Sequence, residues 1–360
     1  MKNSLRIPQL RLFAVVVLLL LGLAITVGST LAADDSITLQ ETLTGKYEVT
    51  NGAIGLDGTA PGTITVNVPG TPSNVFLYWT GRGSGSGDDT ITISINGGAA
   101  TSITADQSSV YSSNTGFPPA ALHFVYAKVL NAASFNTGIN TVTVSDMTIY
   151  ENHGAGLSVY STDPSFQEVS LSRYWGLDGF FVGWTGEFGP NSQLVCQSFS
   201  AATSPRVMQV GMFVGGVDGA DRPNSIWYQV GSGPQPVGSI VDAVGATEIA
   251  TDITNTTPPL TGDQNQNGRQ SYDLFERGIS VPAASTWACF QIESRSDGSL
   301  LGASALWHGL TTALAPAGTT AVNLSAIDAN SLPVMTPLLA LAALLAAASL
   351  LLLHRRRSAR

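Results

Sequence analysis

Val75-Phe76-Leu77-Tyr78-Trp79-Thr80-Gly81 returns later in the chain as Phe180-Phe181-Val182-Gly183-Trp184-Thr185-Gly186. A second pair of marks follows in the same order. Gly154-Ala155-Gly156-Leu157-Ser158-Val159-Tyr160 is echoed by Gly302-Ala303-Ser304-Ala305-Leu306-Trp307. The segments between the marks also correspond. A glycine-rich turn and the alternating strand 90–95 follow the first Trp-Thr-Gly, and Gly189-Pro190-Asn191 and a strand at 193–199 follow the second. Strands at 141–144 and 286–292 precede the two Gly-Ala marks. Alternation is clear at Ile64/Val66/Val68, Ile91/Ile93/Ile95, Ile226/Tyr228/Val230 and Ala288/Phe290/Ile292, which is the period of half-buried strands. Turn signals such as Asn96-Gly97-Gly98 and Asp297-Gly298 separate them. The expected fold is all-β: two tandem β-sandwich or jelly-roll-like domains over 37–165 and 166–315, the second with an insertion near 231–268.

Composition agrees with strands. Charged residues make up 11% of the 360, less than half of the about 25% usual in soluble domains. No run between the chain ends carries a helical period. Charge is segregated along the chain. Of 16 basic residues three lie in the first apolar segment's flank and four at the C-terminus, leaving nine against 25 acids, a net of −16 for the middle. Such a surface repels nucleic acid and anionic lipid.

The two ends are apolar in different ways. Lys2, Arg6 and Arg11 flank an apolar core at 13–27 that closes in Gly28-Ser29-Thr30-Leu31-Ala32-Ala33, the layout of an export signal over 1–33. At the other end a linker over 316–333 leads to an apolar segment at 334–354, long enough as a helix (about 30 Å) to cross a bilayer. Thr336-Pro337 suits its start, and Arg355, Arg356 and Arg357 in the tail 355–360 hold the cytoplasmic side. The reading is a single-pass cell-surface protein anchored in the membrane by its C-terminal helix.

Leu332-Pro333, the apolar helix and the terminal arginines together resemble the tripartite sorting signals of bacterial surface proteins. The motif departs from the LPxTG pattern: Thr336 stands one place late and no glycine follows. Transfer from membrane to cell wall stays open on that ground. The Leu77-Tyr78-Trp79 strand, the strand after Gly154 and the tail resemble the diffuse "choice-of-anchor" group of bacterial surface proteins. That resemblance implies a surface or adhesive role and carries no site residues.

The only cysteines, Cys196 and Cys289, both fall between the ends, and an exported chain pairs them. Their strands match those bearing Ile91/Ile93 and Val142/Val144 in the first copy. The expectation is a buried disulfide facing the second core. Lys46 and Lys128 are the only lysines of the middle and are candidates for an intramolecular isopeptide bond, Lys128 the better placed.

Chemistry-bearing patterns are sparse. His123, His153 and His308 are far apart in sequence, without zinc-ligand spacing. No Gly-x-Ser-x-Gly elbow occurs. Asp88/Asp89, Asp178/Glu187 and Asp218/Asp221 read as turn acids rather than a hydrolytic pair. Asp263-Gln264-Asn265-Gln266-Asn267-Gly268 opens like a calcium loop, with Asp263, Asn265 and Asn267 as ligands, but Leu274 stands where the closing Glu belongs. Apart from calcium, no cofactor is implied. Tyr174-Trp175, Trp227-Tyr228 and Trp307 offer stacking surfaces for a glycan if exposed. The expected role is therefore structural or adhesive, with a glycan or extracellular protein as partner, a carbohydrate-binding module as the alternative and an extracellular enzyme third.

Overall fold

The computed structural model describes residues 36–56, 61–83, 88–113, 121–147, 151–180, 189–216, 223–252, 272–296 and 305–317. The signal segment 1–33, the linker, anchor and tail over 318–360, the loop with Asp263, Asn265 and Asn267, the Trp184-Thr185-Gly186 echo and Gly302-Ala303-Ser304 lie outside the described residues. Leu332, Pro333, Arg355, Arg356 and Arg357 lie outside them as well.

The fold is all-β. One nine-stranded sheet runs, with strands numbered along the chain, in the order β15 (Tyr272–Val281), β12 (Arg206–Gly215), β17 (Ala305–Leu314), β10 (Glu168–Phe180), β1 (Thr38–Gly55), β9 (Glu151–Thr162), β3 (Thr71–Gly83), β7 (Ala121–Leu130), β6 (Gln107–Ser113). Two four-stranded sheets accompany it. One is β2 (Gly62–Val68), β8 (Gly138–Ser145), β4 (Thr90–Ile95), β5 (Thr101–Thr104); the other is β11 (Val195–Ser198), β16 (Trp287–Ser294), β13 (Pro223–Gly231), β14 (Thr247–Asp252). Among the described residues, no helix is long and apolar enough to cross a membrane.

Each small sheet packs on one half of the large one. Ile64, Val66 and Val68 of β2, Ile91 and Ile93 of β4 and Val142 and Val144 of β8 meet Val75, Leu77 and Trp79 of β3 in a first core. Ala288, Phe290 and Ile292 of β16 meet Met208, Val210 and Met212 of β12 in a second. The outer face of the first small sheet is hydroxyl-bearing: Thr63 lies opposite Thr143, Thr65 opposite Thr141 and Thr90 opposite Thr104. β-branched residues suit a pleated, half-wet surface. At the β4–β5 turn Asn96 and Gly97 both take positive φ (53° and 69°), as a type I′ hairpin requires of an Asn-Gly pair.

A third core explains the opening stretch. Val75 to Gly81 are all buried because the large sheet is covered on both faces. Alternate residues Phe76 and Tyr78 leave the first core and join Phe213, Tyr272, Leu177 and Leu306 from the other half. The layers therefore stack as small sheet, half-sheet, half-sheet, small sheet, with a seam in the middle.

β1 ties the halves together in a way the repeat does not announce. Its residues 38–46 pair with β10, and its residues 47–55 pair with β9. The chain passes from one half to the other at Lys46-Tyr47, beside the short turn 163–167 that joins β9 to β10.

Candidate functional site: the polar seam between the halves

Small residues let the two half-sheets touch. A Cβ on Gly156 would lie 2.5 Å from both Phe213 Cδ1 and Tyr272 Oη, and one on Gly215 would lie 2.3 Å from Thr80 Oγ1. The Gly-Ala-Gly mark of the first copy is thus a contact surface, since only glycine permits so close a backbone approach.

Polar side chains collect where the seam reaches the loop ends of the strands. His123 is the third residue of β7, His153 the third of β9, and His308 follows Trp307 on β17; all three are buried. The His123 and His153 rings lie 6.4 Å apart, and the Thr80 hydroxyl sits 3.4 Å from His153 Nδ1. His308 Nε2 contacts the Tyr272 hydroxyl at 2.8 Å and its Nδ1 the Leu306 carbonyl oxygen at 3.2 Å. This arrangement fits a neutral ring that donates from Nδ1 and accepts from tyrosine. The His308 ring packs between Tyr78, Phe213 and Tyr272.

Burial sets the charge state of all three. Desolvation, with the positive charge of Arg82 second, pushes His123 down to about 3. Desolvation pushes His308 down to about 4, opposed in part by the Leu306 carbonyl. His153 is held well below the usual histidine value by desolvation and by the charges of His123, Arg82 and His308. The imidazoles are uncharged at neutral pH.

Further along the seam a hydrogen-bond chain crosses between halves. Asn51 of β1 donates to Glu276 of β15 at 2.8 Å and accepts from the Ser158 hydroxyl at 2.5 Å. Desolvation pushes the half-buried Glu276 carboxyl up to about 7, offset in part by that Asn51 bond. Arg173 pairs with Glu41 at 3.1 Å and lies over the Phe76 ring at 4.1 Å. Desolvation raises the Tyr78 hydroxyl to about 12, although Arg173 and Ser158 bond to it.

The cysteines pair as expected: Cys196 and Cys289 are register partners on β11 and β16 and form a disulfide. The expectation that they face the second core is corrected. Ala288, Phe290 and Ile292 face that core, so Cys289 points to the opposite side. There it is covered by Trp227, Trp287 and Ile240, with Val241, Ala243 and Ala246 from the insertion. Gln291 Oε1 accepts from the Ile240 amide at 2.8 Å and so seats the covering loop.

Lys128 pairs with Asp106 at 2.6 Å with its amine partly in water, and Lys46 donates to the Pro164 carbonyl. Neither amine is fully buried. Trp175, Trp227, Trp307 and Tyr174 are buried and form no exposed row. Tyr228 is partly buried against the second core. Asp178 is buried and accepts from the Gln193 amide rather than lying in an open turn. Among the described residues no group of three or more His, Cys, Asp or Glu is placed to hold a metal ion. The gathering of the histidines went unseen in the sequence. Its one signal is that His153 and His308 flank the two repeated Gly-Ala marks.

No protein family matches the chain, and no curated protein matches it in sequence. Among solved structures it is similar to the peptide N-glycanase PNGase F of Flavobacterium meningosepticum, at 9% identity and a TM-score of 0.24, over 78% of this chain and 97% of that one. It is also similar to the ANXUR1 extracellular domain of Arabidopsis thaliana, at 10% identity and a TM-score of 0.21, over 80% and 95% of the two chains. Likenesses this weak carry no inference about activity.

Proposed function

We propose that the chain is an exported bacterial surface protein, held by its C-terminal segment, whose two β-sandwich, jelly-roll-like halves form a structural or adhesive block. The observation that carries this reading is the Cys196–Cys289 bridge, shielded beneath the insertion loop. Disulfides of this kind persist in oxidising, extracytoplasmic compartments. The apolar segments at both ends of the sequence and the acidic middle support the same address. Tyr174, Trp175, Trp227 and Trp307 are buried and Tyr228 is half-buried, so these residues give a glycan platform no exposed aromatic row. Protease shaving of intact cells bearing an epitope inserted at the exposed turn Ser232-Gly233-Pro234 tests the reading. The tag is expected to be lost on shaving, and deletion of 334–360 is expected to release the protein to the medium. A tag resistant on intact cells, with both thiols free, would sink the proposal.

A further inference from the structure

The outer face of the first small sheet carries a pattern that the surface role does not use. None of the residues of β2, β4, β5 and β8 is charged, aromatic or proline, although the middle of the chain is acidic. Buried Ile64, Val66, Ile91, Ile93, Val142 and Val144 turn their alternate neighbours outward. Those neighbours form successive hydroxyl rows across the strands. Thr63, Thr143 and Ser94 make one row, and Ser145, Thr92 and Ser102 make the next. The pairs Thr65/Thr141 and Thr90/Thr104 extend the pattern at its two ends. Hydrogen bonds between neighbours fix the hydroxyls, Thr63 to Thr143 at 2.9 Å and Thr90 to Thr104 at 3.1 Å. The β-branched side chains are also stiff about their first torsion. The corresponding face of the second small sheet is built otherwise. It carries Glu248, Glu293 and Arg295, and Ile240, Val241, Ala243 and Ala246 of the insertion cover it.

We propose that this bare threonine face adsorbs to ice, its partner being the ordered water of a growing ice crystal. The inference goes beyond the surface role proposed above and does not depend on it. Hydroxyls two residues apart on a strand repeat at about 6.6–6.8 Å, and neighbouring strands at about 4.7–4.9 Å. The oxygens on a prism face of ice repeat at comparable intervals in two directions. Water held by fixed hydroxyls is already placed for such a lattice, so less ordering entropy is lost on adsorption. The threonine methyl groups between the hydroxyls gain by shedding water. Other partners lack a handle on this face. Without charge it attracts neither nucleic acid, anionic lipid nor a metal ion. Ile139 is the one large apolar side chain exposed on it among the described residues, too little for the core of a protein interface. It has no aromatic ring to stack on a sugar. Neighbouring strands twist by about 20–25°, which limits the area that lies on one crystal plane. The activity expected is therefore adhesion to ice and slowed recrystallisation.

Ice-affinity partition of the full-length chain, read as the fraction carried into slowly grown ice, tests the proposal, with recrystallisation of fine-grained ice as the second readout. The wild-type chain is expected to enter the ice at least fivefold more than Thr65→Tyr/Thr141→Tyr, whose rings interrupt one row on two neighbouring strands, and to slow recrystallisation where the variant does not. Val237→Tyr, at a fully exposed position in the other half, is expected to behave as the wild type. Wild-type protein that stays in the liquid overturns the proposal, whether or not it binds crystalline cellulose or chitin. A double variant that partitions as the wild type overturns it as well. Should the double variant not fold, adsorption of amine-labelled wild-type chain to a single ice crystal decides. Labelling of the prism faces supports the proposal, and labelling of no face, or of all faces alike, overturns it.

Discussion

Tyr78 on β3 and Phe213 on β12 lie with ring centroids 5.1 Å apart, each fully buried and each from a different half of the molecule. The pair fastens the seam at its middle. Truncating either ring to alanine is expected to cost about 3–5 kcal/mol, as for other buried aromatics. A double-mutant cycle by urea denaturation should return a coupling of about 0.5–1.5 kcal/mol, the usual worth of a tilted ring pair. Strict additivity would mean that the halves do not hold one another through these rings.

Gly156 makes a sharper test of the close approach. An alanine methyl would stand 2.5 Å from Phe213 and Tyr272, which must then shift. Gly156→Ala is expected to lose about 1–3 kcal/mol by overpacking. Gly189→Ala, with nothing within 4 Å of its added carbon, is the matched control and should change stability little. Equal effects at the two sites in thermal melts would contradict the packing described.

The disulfide closes a long loop whose ends are 93 positions apart in sequence. Constraint of the unfolded chain by a loop of this length is worth about 4–5 kcal/mol in the chain-entropy model. Cys196→Ser/Cys289→Ser is expected to lose most of that in denaturant titrations. The loss should appear as faster exchange in β11, β13 and β16, around Trp227 and Ile240, rather than in the first core. A uniform loss across both sandwiches would show that the clamp acts on the whole unit.

Much of this fold was legible in the sequence, and the part that was not has a common cause. Alternation at Ile64/Val66/Val68 and Val142/Val144 marks one buried face, and the small sheets follow it. The continuous run from Val75 to Gly81 signals two covered faces, but sequence cannot say what covers the second. The seam is built by pairing remote segments, and neither the mixed partners of β1 nor the meeting of His123, His153 and His308 leaves a local pattern. Cys289 was legible in hindsight, since it is out of phase with Ala288, Phe290 and Ile292 and had to point away from their core.

Exposed ions should matter little. Lys128 and Asp106 form a partly hydrated pair, which measured pairs of this kind value at about 0.2–1 kcal/mol. Lys128→Gln is expected to shift stability within that range. The intact mass of the unreduced protein should show the loss of two hydrogens for the disulfide and no loss of ammonia. A deficit of one ammonia would show an isopeptide bond at Lys46 or Lys128.

Stability should fall on both sides of a maximum, for opposite reasons. Glu276 is raised from the ordinary carboxyl value of 4.5 to about 7 in the fold, so the folded state holds its proton more tightly. Its contribution is complete below 4.5 and is lost as pH rises through about 7. The histidines act in the other sense. His123 and His308 fall from the ordinary imidazole value of 6.5 to about 3 and about 4, so their contribution is complete above 6.5 and is lost as pH falls through those folded values. Glu276→Gln keeps a neutral amide where the protonated acid stood and should flatten the alkaline decline while leaving the acid limb unchanged. His308→Gln should do the reverse. Denaturant midpoints measured from pH 4 to pH 9 separate the two, and a Glu276→Gln profile parallel to the wild type's would place that carboxylate in water rather than in the seam.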